Sequence, residues 1–253
     1  MVRRRRTYLI CAVYLALVAC AELLSGYDAK TGVALHAFIL FALLLQSTLE
    51  SDTDKKLSQL LMALVLVPLI RLLSLSMPLA YFSRISWFLF ISIPVFIASF
   101  TCMWLQELSL KDVGLFIPAR RDIPIEAGVI LFAIPAGILE YHILRWPGLS
   151  AASFITSALI FIICTGFVEE LVFRGVIQHN AIRVMSKWGG IMFVTALFTV
   201  LQISNRSPLD CLLAFSVGFL YAVVREKTGS LYGISISHGM MNIVLFLVAP
   251  AYF

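Results

Sequence analysis

Nine stretches of this chain, at 8–25, 32–49, 57–77, 84–104, 125–144, 150–178, 188–204, 209–224 and 231–249, are apolar over lengths close to the thickness of a bilayer. A spanning helix needs about 20 such residues, and in hydrocarbon a helix satisfies all of its own backbone polar groups. With 61% hydrophobic and only 13% charged residues, the composition excludes an ordinary soluble domain. The expected fold is an all-α polytopic membrane protein, one transmembrane domain over 1–253 with about eight to nine spanning helices. No repeat, low-complexity tract or separate soluble domain interrupts it.

The charges between these stretches alternate in density, as the enrichment of Lys and Arg in cytoplasmic loops predicts. Of 19 basic residues, thirteen fall on one side: Arg3 to Arg6, Lys55, Lys56, Lys111, Arg120, Arg121, Arg183, Lys187, Arg225 and Lys227. Lys30, Arg84, Arg145 and Arg206 fall on the other, and Arg71 and Arg174 lie inside helices. This bias places the N-terminus in the cytoplasm and the C-terminus outside. It also assigns the net charge of +5 to the acidic inner leaflet rather than to nucleic acid. A bacterial plasma membrane is the expected location.

Four arginines before an apolar run also describe a secretory signal, and Leu17-Val18-Ala19-Cys20 is similar to a lipoprotein cleavage box. Retention of the first helix agrees better with the charge alternation. Cys11, Cys20, Cys102, Cys164 and Cys211 are odd in number and sit in apolar segments, so they read as small core residues rather than a disulfide framework. Gln106 to Pro124 is too polar to span. Leu108, Leu110, Val113, Leu115 and Phe116 give it an apolar face, which leaves open a surface helix or a connecting loop.

Within the sixth stretch lie Glu169, Glu170 and Arg174, and ionisable groups at such depth are costly and usually functional. Glu170 and Arg174 are four residues apart on one helix face, in the order that favours an ion pair, while Glu169 is turned about 100° away. One carboxylate is thus neutralised by its arginine and the other is free for general base chemistry. His238 and Asn242, also four apart, place an imidazole and an amide on one face of the last helix, where both could hold an oxyanion. Helix rise puts Glu169, His238 and Asn242 about 11–17 Å from the cytoplasmic face, within reach of one cavity. The bland reading of these groups is a helix-packing ion pair and a satisfied interhelical hydrogen bond.

In this combination Glu-Glu-Leu-Val-Phe-Arg and His-Gly-Met-Met-Asn resemble motifs of the intramembrane glutamic proteases that include the type II CAAX prenyl endopeptidases and the bacterial CPBP or Abi proteins. Thr228-Gly229-Ser230-Leu231 is also similar to that family, and the resemblance runs over about 110–249, a CAAX-protease-like core. It implies an intramembrane endopeptidase in which Glu169 activates water, His238 and Asn242 hold the oxyanion, and Glu170 and Arg174 orient the site. No cofactor or metal is implied, and the expected partners are a membrane-associated protein or peptide substrate and the lipid bilayer. The family's second motif, Phe-x-x-x-His, is met by Phe198 but carries Gln202 at the histidine position. An amide can position a water but takes no proton near neutral pH. A slower enzyme, or an inactive member that binds a membrane partner, therefore stands beside the active one, and a small transporter using Glu169 as a proton relay is a third reading.

His142, with Glu140 two residues before it, is at a depth that would let it replace the missing histidine, whereas His36 and His179 fall near the two surfaces. Glu22 and Arg71 share one depth, about 21 Å from the cytoplasmic face, and are expected either to pair between helices or to separate, with Arg71 reaching outward.

Overall fold

A computed structural model describes residues 2–76, 82–149 and 153–253 of the chain, apart from the side chains of Val2 and Arg3. The expected ends at 77 and 150 and the side chain of Arg3 lie outside the described residues. Among these residues, nine helices are long and apolar enough to cross a membrane. They are α1 Val2–Ser25, α2 Ala29–Glu50, α3 Lys55–Ser76, α4 Arg84–Leu105, α5 Ile123–Leu144, α6 Phe154–Val184, α7 Lys187–Val200, α8 Pro208–Thr228 and α9 Tyr232–Tyr252. The chain is an all-helical polytopic membrane protein.

Polar residues fix where the helices begin. Asp28, Asp54, Ser83, Ser153, Ser186 and Ser207 each accept a hydrogen bond from a first-turn amide, which satisfies donors that the helix itself leaves open. At the start of α9 the Ser230 hydroxyl accepts from the Tyr232 amide at 3.1 Å. The Gly233 amide donates to Glu126 Oε2 of α5 at 2.6 Å, and Glu126 is buried. Proline acts on α3, which breaks at Val65, three residues before Pro68, because proline supplies no amide to the preceding turn.

The stretch 106–122 is built of turns with a single 3-10 turn at Arg120–Asp122, so the loop reading holds and the surface helix does not form. Ser109 and Asp112 bond each other's backbone amides, which closes a turn in place of a helical ladder. Gly114, at φ +84°, adopts a left-handed conformation that a helix cannot continue. The Asp112 carboxyl is held below its usual value mainly by its hydrogen bonds to Ser109. Cys11, Cys102 and Cys164 are core residues as expected, but Cys20 is exposed and Cys211 half-buried. Those two positions lie on helix faces turned away from the interior.

Contacts between loops join regions of like charge density. Leu231 donates to the Gly114 carbonyl at 3.0 Å, Arg225 to the Asp112 carbonyl at 2.8 Å, and Lys187 pairs with Glu226 at 3.2 Å, all at the densely basic end. At the other end Leu149 donates to the Phe246 carbonyl at 3.1 Å, and Arg206 lies over the Tyr27 ring at 4.3 Å. The two ends of the bundle are thus the two sets of loops that the charges separate.

The crossing of α6 and α9 positions everything that follows. A Cβ on Gly166 would stand 2.3 Å from the Ser235 carbonyl oxygen, and one on Gly239 would stand 2.5 Å from Ile162 Cα. Backbone therefore meets backbone, the close approach that small residues permit between membrane helices. Gly166→Ala should force the helices apart and cost about 1–3 kcal/mol, the usual range for overpacking. Gly128→Ala, where a Cβ meets nothing within 4 Å, should be neutral or stabilising by about 0.5–1 kcal/mol. Thermal unfolding of both variants in detergent tests this contrast.

Candidate active site

Glu170 is fully buried and shared between two partners. Arg174 Nη1 donates to its Oε1 at 3.0 Å, and His238 Nδ1 lies 2.8 Å from the same oxygen. The expected pair is present, with an imidazole added that the sequence reading had left free. Arg174, also fully buried, donates through Nη2 to the Gly218 carbonyl at 3.2 Å. Its guanidinium stands 4.4 Å from the centroid of Phe198, the family-motif aromatic. Cation–π contact of this kind supports a charge removed from water.

Glu169 points elsewhere. With His238 Nδ1 held by Glu170, Nε2 of the same ring faces Glu169 Oε2 at 3.8 Å. The side chain of Glu169 is 34% exposed, and that exposure is to a cavity of about 320 Å³. Glu169, Gln202, His238 and Asn242 all line this cavity. Four groups from three distant parts of the sequence thereby share one space, while Glu170 and Arg174 lie behind its wall.

The helix carrying the acidic pair is irregular on both sides of it. π-helical turns over Phe161–Phe167 and Leu171–Ile177 flank Val168–Glu170, and such widened turns are frequent at functional sites. Thr165 Oγ1 donates to the Phe161 carbonyl at 2.6 Å, competing for the oxygen that an α-helix would give to the Thr165 amide. The same hydroxyl accepts a bond from Asn242 Nδ2 at 2.8 Å. One hydrogen of that amide is thus committed and the other remains for a ligand.

Gln202 sits where α7 has ended, on the turn before the 3-10 segment Ile203–Asn205, not inside a helix that runs to 204. Its Oε1 accepts from Asn205 Nδ2 at 3.0 Å, and Asn205 Nδ2 also contacts Asp210 Oδ2 at 2.9 Å. This chain leaves the Gln202 amide NH₂ as the group available to the cavity. His142 does not replace the missing histidine. It is absent from the cavity lining and its ring packs edge-on to Phe253 at 5.3 Å. Glu140, two residues earlier, does line the cavity, because a separation of two places side chains about 200° apart around a helix.

Thr165, Glu140, Asn205, Asp210 and Tyr221 are cavity residues that the sequence reading did not assign to the site. Thr165 could have been found from its spacing of four before Glu169. The others carry no local pattern. Glu22 and Arg71 form the interhelical pair, Nη2 donating to Oε2 at 2.7 Å. His36 Nε2 adds itself 3.1 Å from Glu22 Oε1, and Arg71 Nη2 also reaches Ser204 Oγ at 3.3 Å. Among the described residues no group of three or more His, Cys, Asp or Glu is arranged to hold a metal ion.

Residues 151–244, which contain Glu169, Glu170, Arg174, Gln202, His238 and Asn242, match the family model of type II CAAX prenyl endopeptidase Rce1-like proteins. Over this segment the chain is similar to those proteins. No curated protein and no solved structure matches it. That family is protease-like, and the matched segment holds α6, α7, α8 and most of α9. Removing one side of its buried ion pair leaves the other charge in the interior uncompensated. Arg174→Ala should therefore destabilise the protein by about 3–5 kcal/mol. Arg174→Lys, which keeps the charge but not the fork to both Glu170 and Gly218, should cost less; chemical unfolding in mixed micelles compares the two.

Proposed function

We propose that this protein is an intramembrane endopeptidase of the glutamic type, in the CPBP or Abi branch of the family, resident in a bacterial plasma membrane. The observation that carries the reading is the joint approach of Glu169, Gln202, His238 and Asn242 to one cavity, with the far nitrogen of His238 fixed by Glu170. A peptide carbonyl bound there meets a carboxylate for the water and two donors for the oxyanion. Glu169 accepts a proton as the water oxygen bonds to the carbonyl carbon. The free hydrogen of Asn242 and a proton on His238 Nε2 face the oxygen as it becomes negative, the arrangement that lowers an acyl-transfer barrier. Glu169 then returns its proton to the nitrogen as the carbon–nitrogen bond breaks.

Glu170 and Arg174 act through His238 rather than on the substrate. A carboxylate on Nδ1 fixes the orientation of the ring, as it does in other hydrolytic sites. Gln202 positions the water by donating from its amide, since its carbonyl is taken by Asn205. It accepts no proton, so the base chemistry rests on Glu169 alone.

Gln202 is also the observation that favours a second reading, a non-catalytic member that binds a membrane partner through the same cavity. One set of variants separates the two. Glu169→Gln should lower hydrolysis of a membrane peptide by about 10²–10⁴-fold while leaving the unfolding transition in place, and Gln202→His should raise it. Equal turnover by wild type and Glu169→Gln overturns the catalytic assignment. Partner capture that survives in Glu169→Ala combined with His238→Ala, with no hydrolysis in any variant, establishes the binding role.

A further inference from the structure

The cavity begins near the middle of the bundle and runs to one end. Its lining includes the last turns of α3 and α5 at Arg71, Glu140 and Leu144, the part of α8 from Asp210 to Tyr221, and the part of α9 from His238 to Phe246. It also takes Trp146 and Asn205 from the loops that follow α5 and α7. The deepest of these positions, Tyr221 and His238, sit past the middle of the bundle, and from them the lining runs out to Trp146, Asn205 and Phe246 at the end whose loops hold Lys30, Arg84, Arg145 and Arg206, the sparsely basic end. The bias of thirteen basic residues against four then makes that end non-cytoplasmic.

The opposite end is closed to the site. Between Glu169 and the densely basic loops stand Glu170 and Arg174, both fully buried, with Phe198 and Tyr221 against the guanidinium. A separate cleft on that side, lined by Lys111, His179 and Arg225, reaches only as far as Arg174. The ion pair thus separates the two spaces.

Charge inside the cavity adds a second constraint. Glu140, Glu169 and Asp210 line it, and of its basic lining residues Arg71 is already paired with Glu22 and His238 with Glu170. A surplus of carboxyl groups in a partly enclosed space selects a positively charged ligand.

We propose that the site opens away from the cytoplasm and takes an unlipidated peptide segment bearing a basic side chain, presented from the non-cytoplasmic side. The substrate class rests on the hydrolytic reading above; the direction of opening does not. A prenylated cysteine at the cytoplasmic surface would meet neither the open end nor the charge.

The direction is tested in sealed cells with a membrane-impermeant maleimide, on protein whose five cysteines are replaced and that carries either Asn205→Cys at the mouth or Lys111→Cys at the far end. Asn205→Cys should react at least about tenfold faster than Lys111→Cys before permeabilisation, a difference that barrier permeability sets rather than local chemistry. Labelling of Lys111→Cys alone in sealed cells overturns the orientation. If the cysteine-free protein does not fold, an epitope inserted after Pro147 in the wild-type chain gives the same answer through antibody binding to intact cells.

The substrate class is tested with reconstituted protein and three peptides: one with a lysine near the scissile bond, the same peptide with norleucine there, and a farnesylated CAAX peptide. The lysine peptide should be cut about tenfold faster than the norleucine one, corresponding to about 1.4 kcal/mol, and Glu140→Gln should reduce that preference. Faster cleavage of either alternative overturns the substrate class. External labelling with no cleavage of any peptide overturns the hydrolytic reading and leaves the orientation standing.

Discussion

A carboxylate that cannot be reached by water must be compensated by the protein, and Glu170 is compensated twice, by Arg174 and by His238. The requirement organises the half of the bundle that surrounds the cavity. Arg174 must enter the interior to meet it, which brings Phe198, Tyr221 and the Gly218 carbonyl around the guanidinium and so draws α7 and α8 against α6. His238 must come from α9, which the backbone contact at Gly166 and Gly239 allows. Replacing such a pair by apolar residues can be neutral for stability in other proteins. Here it would also release the imidazole, so the pair fixes geometry more than it contributes energy.

Much of this was legible in the residues. Length and hydropathy gave the nine helices, since the bilayer admits few alternatives, and the i, i+4 spacing of Glu170 and Arg174 gave their contact. The same spacing made His238 and Asn242 neighbours. What spacing within one helix could not give was the rotation of one helix against another. The bond from His238 to Glu170 spans 68 residues and depends on how α6 and α9 cross. The same ignorance of rotation left Glu140 and His142 undivided, and the structure turns only Glu140 inward. Glu126 was missed for a further reason, that a residue which caps a different helix has no signature in its own.

Gln202 looks less like a simple loss once its neighbours are known. In a cavity with three carboxyl groups, its carbonyl is occupied through Asn205, which leaves its amide hydrogens as the donors it can offer. A histidine at that position would sit beside Asn205 and Asp210, whose present arrangement matches an amide.

The bond from Glu126 to the Gly233 amide has a mechanical meaning. A carboxylate on a helix terminus is favoured by the aligned peptide dipoles, and this one belongs to a neighbouring helix. Drawing α5 away from α9 would strand a buried acid and uncap the helix that bears His238 and Asn242 at once. These two helices are thus clamped at the end opposite the cavity mouth. Any widening that admits a bulky chain must come from displacement of other walls, or from splaying α5 and α9 about the clamp as a pair of tongs opens about its hinge.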